Sequence, residues 1–165
     1  MKRILVIQTA FLGDVVLATS IMEKLHARFP DARIDAVVRK GNEGLFNDHP
    51  FLHRLFVWNK QEHRTRNLTK LIGELRKTRY DHIINCQRFF STGLITVLAR
   101  GGEKVGYDKN PLSLFFARKV KHVMPDPAEV RKTKEPALHA QVHEVDRLNA
   151  LIQHLTDHER PLPKL

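Results

Sequence analysis

Early in the chain, Thr9-Ala10-Phe11-Leu12-Gly13-Asp14 places a glycine and a carboxylate between a short apolar run and an amphipathic stretch. A carboxylate at such a strand-to-helix junction has two available roles. It can cap the helix by accepting a hydrogen bond from a free backbone N–H, or act as a general base at the mouth of a cleft. The helix N-terminus favours the ionised carboxylate and lowers its basicity, so the two roles compete. Gly13 permits a tight turn or the close approach of a ligand to the backbone. The loop is neither a G-x-G-x-x-G fingerprint nor a phosphate loop ending in Gly-Lys-Ser/Thr. No metal is expected: Pro50 separates His49 from His53, and His139 and His143 share a helix face but lack a third ligand. Cys86, the single cysteine, ends a buried apolar run and reads as a packed thiol rather than a nucleophile. Phe89-Phe90 and Phe115-Phe116 are expected in core or inter-domain packing.

The elements that must position these residues follow from periodicity. Ile4 to Ile7 is apolar throughout, the pattern of a strand covered on both faces. Asp14 to Phe29 is a helix with Val15, Ala18, Ile21, Met22 and Leu25 inward, ended by Pro30-Asp31. Strands are predicted at Ile34 to Val38, Leu55 to Trp58, Asp81 to Cys86 and Lys104 to Tyr107. Between them lie a short helix at Gly41 to Asn47, a helix at Leu68 to Lys77, and one at Thr92 to Ala99 that Gly101-Gly102 would terminate in a left-handed cap. Residues 111–134 read as irregular with a short strand near Val120, and Ala137 to Leu155 as a long helix. The alternation implies an α/β fold, a parallel sheet with helices on both faces. Ligands of such sheets bind outside the carboxyl ends of the strands, which points to the loops after Ile7, Val38, Trp58 and Cys86.

The chain has 165 residues, enough for one domain without disulfides or metals. Its apolar runs are too short for a membrane-spanning helix. Met1-Lys2-Arg3 with the apolar run after it has the start of a secretory signal, but Gln8 and Gly13-Asp14 interrupt the apolar core, so a cytoplasmic protein is expected. The net charge of +10 is uneven: residues 51–134 carry 18 Lys/Arg against seven Asp/Glu, while the flanking segments are near balance. Such a concentration attracts an anionic partner: nucleic acid, a membrane surface or a phosphorylated substrate. A stand-alone polyanion- or nucleic-acid-binding module is one reading of it. No helix-turn-helix, RRM, KH or zinc pattern accompanies the charge, and nucleic acid is not expected.

The stretch from Ile4 through Gly13-Asp14-Val-Val-Leu-Ala-Thr19 resembles the opening of glycosyltransferase family 9, the ADP-heptose:lipopolysaccharide heptosyltransferases. The resemblance continues through Phe29-Pro-Asp-Ala-Arg-Ile-Asp35, Tyr80-Asp-His-Ile-Ile-Asn-Cys-Gln87, Lys104-Val-Gly-Tyr107 and His143-Glu-Val-Asp-Arg147, in the family's order. It implies the N-terminal, acceptor-binding half of a GT-B enzyme, whose two Rossmann-like domains face each other across a cleft. By that resemblance Asp14 would be the base that deprotonates the acceptor hydroxyl in an inverting transfer. Gly13 would admit the acceptor, Gln87 would line the cleft, and Arg64, Arg66 and Arg118 would hold carboxylates or phosphates of an anionic, lipid-linked sugar acceptor. Peripheral contact with the cytoplasmic face of the inner membrane is a further implication.

The sequence departs from the family at Asn85, often Asp there, at Arg88-Phe89-Phe90, often small, and at Ser20, often Pro. These departures bear on the acceptor more than on the fold. Residues 1–156 are expected to form the acceptor domain and 157–165 the start of an inter-domain linker, with Pro161 and Pro163. The donor-binding domain is then absent, and so is the site for ADP-heptose; no other cofactor is expected. Such a chain would be inactive alone, or one subunit of a split transferase.

Overall fold

The run at Ile4 to Ile7 is uniformly apolar because helices cover both of its faces. In the computed structural model, which describes residues 1–124 and 136–159, six strands form one sheet: β1 (Arg3–Ile7), β2 (Arg33–Arg39), β3 (Leu52–Trp58), β4 (Tyr80–Asn85), β5 (Gly101–Tyr107) and β6 (Arg118–Val120). Their order is β3-β2-β1-β4-β5-β6 and every pairing is parallel. The helices are α1 (Leu12–Arg28), α2 (Arg64–Leu75), α3 (Phe90–Leu98) and α4 (Pro136–Ile152), with 3-10 turns at Glu43–Phe46 and Ser113–Phe115.

Alternation along each strand sorts the core into two layers. Ile4, Val6, Ile34, Ala36 and Ile84 meet α1 and α4 through Ala18, Ile21, Met22, Leu25, Leu148 and Leu151. Leu5, Ile7, Val37, Trp58 and Ile83 meet α2 and α3 through Leu71, Ile72, Leu75 and Ile95. This is the α/β architecture expected, and its strand order places the reversal between β1 and β4. Such a reversal opens a crevice at the carboxyl ends of the two strands.

Three local readings are corrected. Helix α1 begins at Leu12, with Phe11 as its N-cap, so Asp14 lies inside the first turn rather than capping it. Gly101 and Gly102 belong to β5, and α3 ends at Ala99 in an extended conformation. Glycine is needed there for close approach: a Cβ at Gly101 would sit 2.7 Å from the Tyr80 carbonyl oxygen on β4. Helix α2 starts four residues before its apolar stripe, because loop chemistry builds its first turn. The Asn59 side chain accepts from the Gln61 backbone N–H, Asn67 donates to the Glu62 carbonyl at 2.7 Å, and His63 turns left-handed with φ 42°. The expectations for residues 125–134, for the His139 and His143 side chains and for Pro161 to Pro163 lie outside the described residues.

Candidate functional site

Three loops and two helices converge where the sheet reverses. Gln8 and Ala10 come from the β1–α1 connection, Asp14 from the first turn of α1, and Cys86, Gln87, Arg88 and Phe89 from the β4–α3 connection. His122 and Met124 follow β6, and Glu144 and Arg147 reach in from α4; together these residues line one cleft.

The loop frame is held by amides. Gln87 Oε1 accepts from the Thr9 hydroxyl at 2.7 Å and from the Thr9 backbone N–H at 3.1 Å, joining the β1 loop to the β4 loop. The Gln87 backbone N–H donates to Asn85 Oδ1 at 2.9 Å. Buried Asn110 then donates to the carbonyls of Gln87 and Phe89 and accepts from the Leu112 N–H, fastening the β5 loop onto the same frame. Gly93 makes room for it, since a Cβ there would stand 2.3 Å from Asn110 Oδ1. From the other side, the ammonium of Lys60 donates to the Thr9 carbonyl at 2.7 Å and Asn42 donates to the Ala10 carbonyl at 3.0 Å. A loop with this many side-chain ties presents its free groups in fixed directions.

Asp14 is such a group. It stands half-buried at the cleft, and its carboxylate has no hydrogen-bond or ion-pair partner among the described residues. Two guanidiniums share the cleft with it. Arg88 is exposed, whereas Arg147 is largely enclosed, pairs with Glu144 and donates to the Val123 carbonyl at 3.4 Å. Burial lowers the Arg147 pKa while Tyr107 and Asp14 oppose that shift, and its Nε has no hydrogen-bond partner among the described residues. The His122 pKa is lowered by burial and by the fields of Arg147 and Arg88, which favours the neutral imidazole. The site therefore offers an unengaged carboxylate beside two cations and a neutral histidine, a set suited to a polyhydroxylated, anionic ligand.

The residues singled out in the sequence divide. Asp14 and Gln87 line the same cleft. Gly13 sits exposed in the first turn of α1 with open space where a side chain would be, and its backbone makes no left-handed turn. Arg64 opens α2 and lies 5.7 Å over the Trp58 ring, beside Lys60, at the carboxyl end of β3; Arg66 is exposed on the same turn. Arg118 is directed elsewhere: it pairs with Glu103 and lines a separate cavity with His154 and His158. Arg88, His122 and Arg147 were not anticipated as site residues: Arg88 directly follows Gln87 in a loop the sequence points to, whereas only the packing of α4 and the β6 loop against the sheet reversal brings His122 and Arg147 to Asp14. Among the described residues no group of three or more His, Cys, Asp or Glu could hold a metal ion.

Two reactivities follow. Burial, with the nearby charges of Arg39 and Arg64, brings Lys60 down to about 8. At pH 8 about half of it is the free amine, and allowing for the weaker nucleophilicity of a less basic amine Lys60 should acetylate about tenfold faster than a lysine of ordinary pKa. Limited acetylation read by peptide mass spectrometry checks this, and label spread simply by exposure would contradict it. Burial pushes the Cys86 thiol up to about 12. The native thiol should then react with a disulfide reagent at pH 8 about 10³-fold more slowly than the same thiol in urea.

The comparisons with known proteins bear on the fold and the resemblance. No protein-family model matches the sequence. The chain is 26% identical over 120 residues to lipopolysaccharide heptosyltransferase 3 of Escherichia coli, across 70% of this chain and 35% of that protein. It is 23% identical over 116 residues to lipopolysaccharide heptosyltransferase 1 of Campylobacter coli, across 70% and 33%. Among solved structures it superposes on E. coli heptosyltransferase WaaC with ADP at a TM-score of 0.71 and 22% identity, covering 98% of this chain and 49% of that one. A glycosyltransferase family 9 structure from Veillonella parvula gives 0.71 and 22%, covering 96% and 43%. The chain thus spans about a third of the curated relatives' length and about half of the solved structures. It has their α/β fold and is heptosyltransferase-like, resembling glycosyltransferase family 9 over the N-terminal part of those enzymes.

Proposed function

We propose that this chain is the acceptor side of a heptosyltransferase-like glycosyltransferase of lipopolysaccharide core synthesis. On this reading the acceptor-binding domain is residues 1–156. The observation that carries the reading is the unengaged Asp14 carboxylate at the sheet reversal, flanked by Arg88 and Arg147. In the transfer, an acceptor hydroxyl seated between Asp14 and Gln87 attacks the anomeric carbon of the sugar donor with inversion. Asp14 takes the hydroxyl proton as the new carbon–oxygen bond forms, and the bond to the nucleotide diphosphate breaks with its electron pair leaving on the phosphate. Arg88 and Arg147 neutralise carboxylates or phosphates of the acceptor, with Arg64 and Arg66 reaching more distant anionic groups. Peripheral contact with the inner membrane on its cytoplasmic side belongs to this reading, because the acceptor is lipid-linked.

The donor, ADP-heptose by resemblance, is bound by a second half supplied with this one, covalently or as a separate chain. The test is reconstitution. Residues 1–165 mixed with the donor-binding half of a family 9 heptosyltransferase should transfer heptose to lipopolysaccharide whose core lacks heptose, and neither half should do so alone. Robust transfer by residues 1–165 unaided would overturn the division of labour.

A further inference from the structure

On the sheet face that α2 and α3 cover, the apolar rows stop short of the amino ends of the strands. Along β1 the row of Ile7 and Leu5 ends in Arg3, and along β3 the row of Trp58 and Phe56 ends in Arg54. Along β2, Val37 gives way to Asp35 and then Arg33. Side chains alternate along a strand, so these residues share one face. Arg3 and Arg33 are register partners on neighbouring strands, as are Asp35 and Arg54. With His53 and Thr78 they line a cavity of about 180 Å³ at the edge of the sheet opposite the Asp14 cleft.

An irregularity in register brings the histidine to this group. Ile34 pairs with Leu52 but Asp35 with Arg54, so His53 is an extra residue, a bulge in the edge strand that re-aims its side chain. His53 Nδ1 meets Asp35 Oδ1 at 2.9 Å, and the Tyr80 hydroxyl donates to Asp35 Oδ2 at 2.8 Å. Both oxygens of this buried carboxylate are thereby occupied, and the imidazole keeps its Nε2 for a ligand. The arginines are not used in this way. None of the three guanidiniums has a hydrogen-bond or ion-pair partner among the described residues, although Arg54 is steadied 4.8 Å over the Phe56 ring. The neighbouring acids are engaged elsewhere. Asp81 accepts from the Arg3 backbone N–H at 2.8 Å, and Glu74, which feels the Arg54 charge, pairs with Lys77.

Solubility does not require three cations to converge on one hollow, and like charges so placed repel one another. A bound anion relieves that repulsion, and guanidinium forks match the oxygens of a phosphoryl group. The hollow is smaller than the roughly 300 Å³ at which pockets for drug-sized ligands begin, so it suits a small anion rather than a whole nucleotide. We propose that this amino-edge cavity binds a small dianion of the phosphate class, held by Arg3, Arg33 and Arg54 with His53 as a further donor. Its occupancy ties the edge strand β3 to β1 and β2. The site stands apart from the acceptor cleft and does not depend on the proposed function.

Inorganic phosphate, titrated into the full chain at constant ionic strength, tests the proposal, with the NMR signals of the His53 ring as the local readout. They should shift saturably with half-saturation below about 1 mM, and acetate should need at least about tenfold more. Arg33→Gln with Arg54→Gln should raise the phosphate half-saturation at least about tenfold. Both side chains are exposed, so the melting temperature of this variant in chloride should stay within about 2 °C of the parent. Lys109→Gln with Lys121→Gln removes as much charge from the opposite edge of the sheet and should leave the half-saturation within about twofold. Absence of a saturable shift, or acetate binding as tightly as phosphate, overturns the proposal. Equal loss in the two double variants overturns it too, in favour of a diffuse positive field.

Discussion

Asn in place of Asp14 should lower heptose transfer by about 10²–10⁴-fold, the usual contribution of a positioned general base. The preparation is residues 1–165 with a donor-binding half, and the readout is initial rate at saturating acceptor. Asn keeps the size and polarity of Asp but cannot take the hydroxyl proton. Because the Asp14 carboxylate has no hydrogen-bond or ion-pair partner among the described residues, the substitution breaks no structural contact there, and the melting temperature should stay within about 2 °C. Acceptor affinity should change little, so the loss falls on kcat rather than KM. Equal loss of activity and stability would make Asp14 structural.

Ile84→Ala should carry the largest effect on stability, about 2–5 kcal/mol. Ile84 is wholly buried in β4, its partners on the α1–α4 layer include Cys86 and Val105, and the adjacent Ile83 fills the opposite layer. A cavity there cannot relax by moving one helix, because β4 is clamped by parallel pairing to β1 and β5. Urea unfolding should show the midpoint fall with little change in slope. Leu114→Ala, on an exposed side chain, should shift stability by less than about 0.5 kcal/mol in the same assay. Parity between the two would contradict the layered core.

The strands were legible in the sequence because full burial leaves apolar residues at every position, as at Ile4 to Ile7 and at Ile83-Ile84. Helix starts were less so. Phe11 and Leu12 are exposed apolar residues that carry no capping signal, which hid the true beginning of α1. The first turn of α2 is fixed by Asn59, Asn67 and the left-handed His63 rather than by any apolar repeat. Gly101-Gly102 has the composition of a helix cap, yet it answers to the closeness of Tyr80 on the neighbouring strand.

The candidate site divides in the same way. Asp14 and Gln87 announce themselves by lying just past the ends of two apolar runs, the place where parallel sheets bind ligands. Arg147 does not, since it is one polar residue on an amphipathic helix about 130 residues further along, and only tertiary packing makes it Asp14's neighbour. Arg118 has the same type and similar surroundings in sequence but turns to Glu103. The surplus positive charge is accordingly shared between the cleft, the Lys60–Arg64 edge and surfaces remote from both.

Equilibrium binding to residues 1–165 alone tests the central claim most directly. Heptose-deficient lipopolysaccharide, deacylated to keep it in solution, should bind in a salt-sensitive manner, while ADP-heptose should bind at least about 100-fold more weakly. Preferential binding of ADP-heptose, with no affinity for the anionic acceptor, would contradict the account.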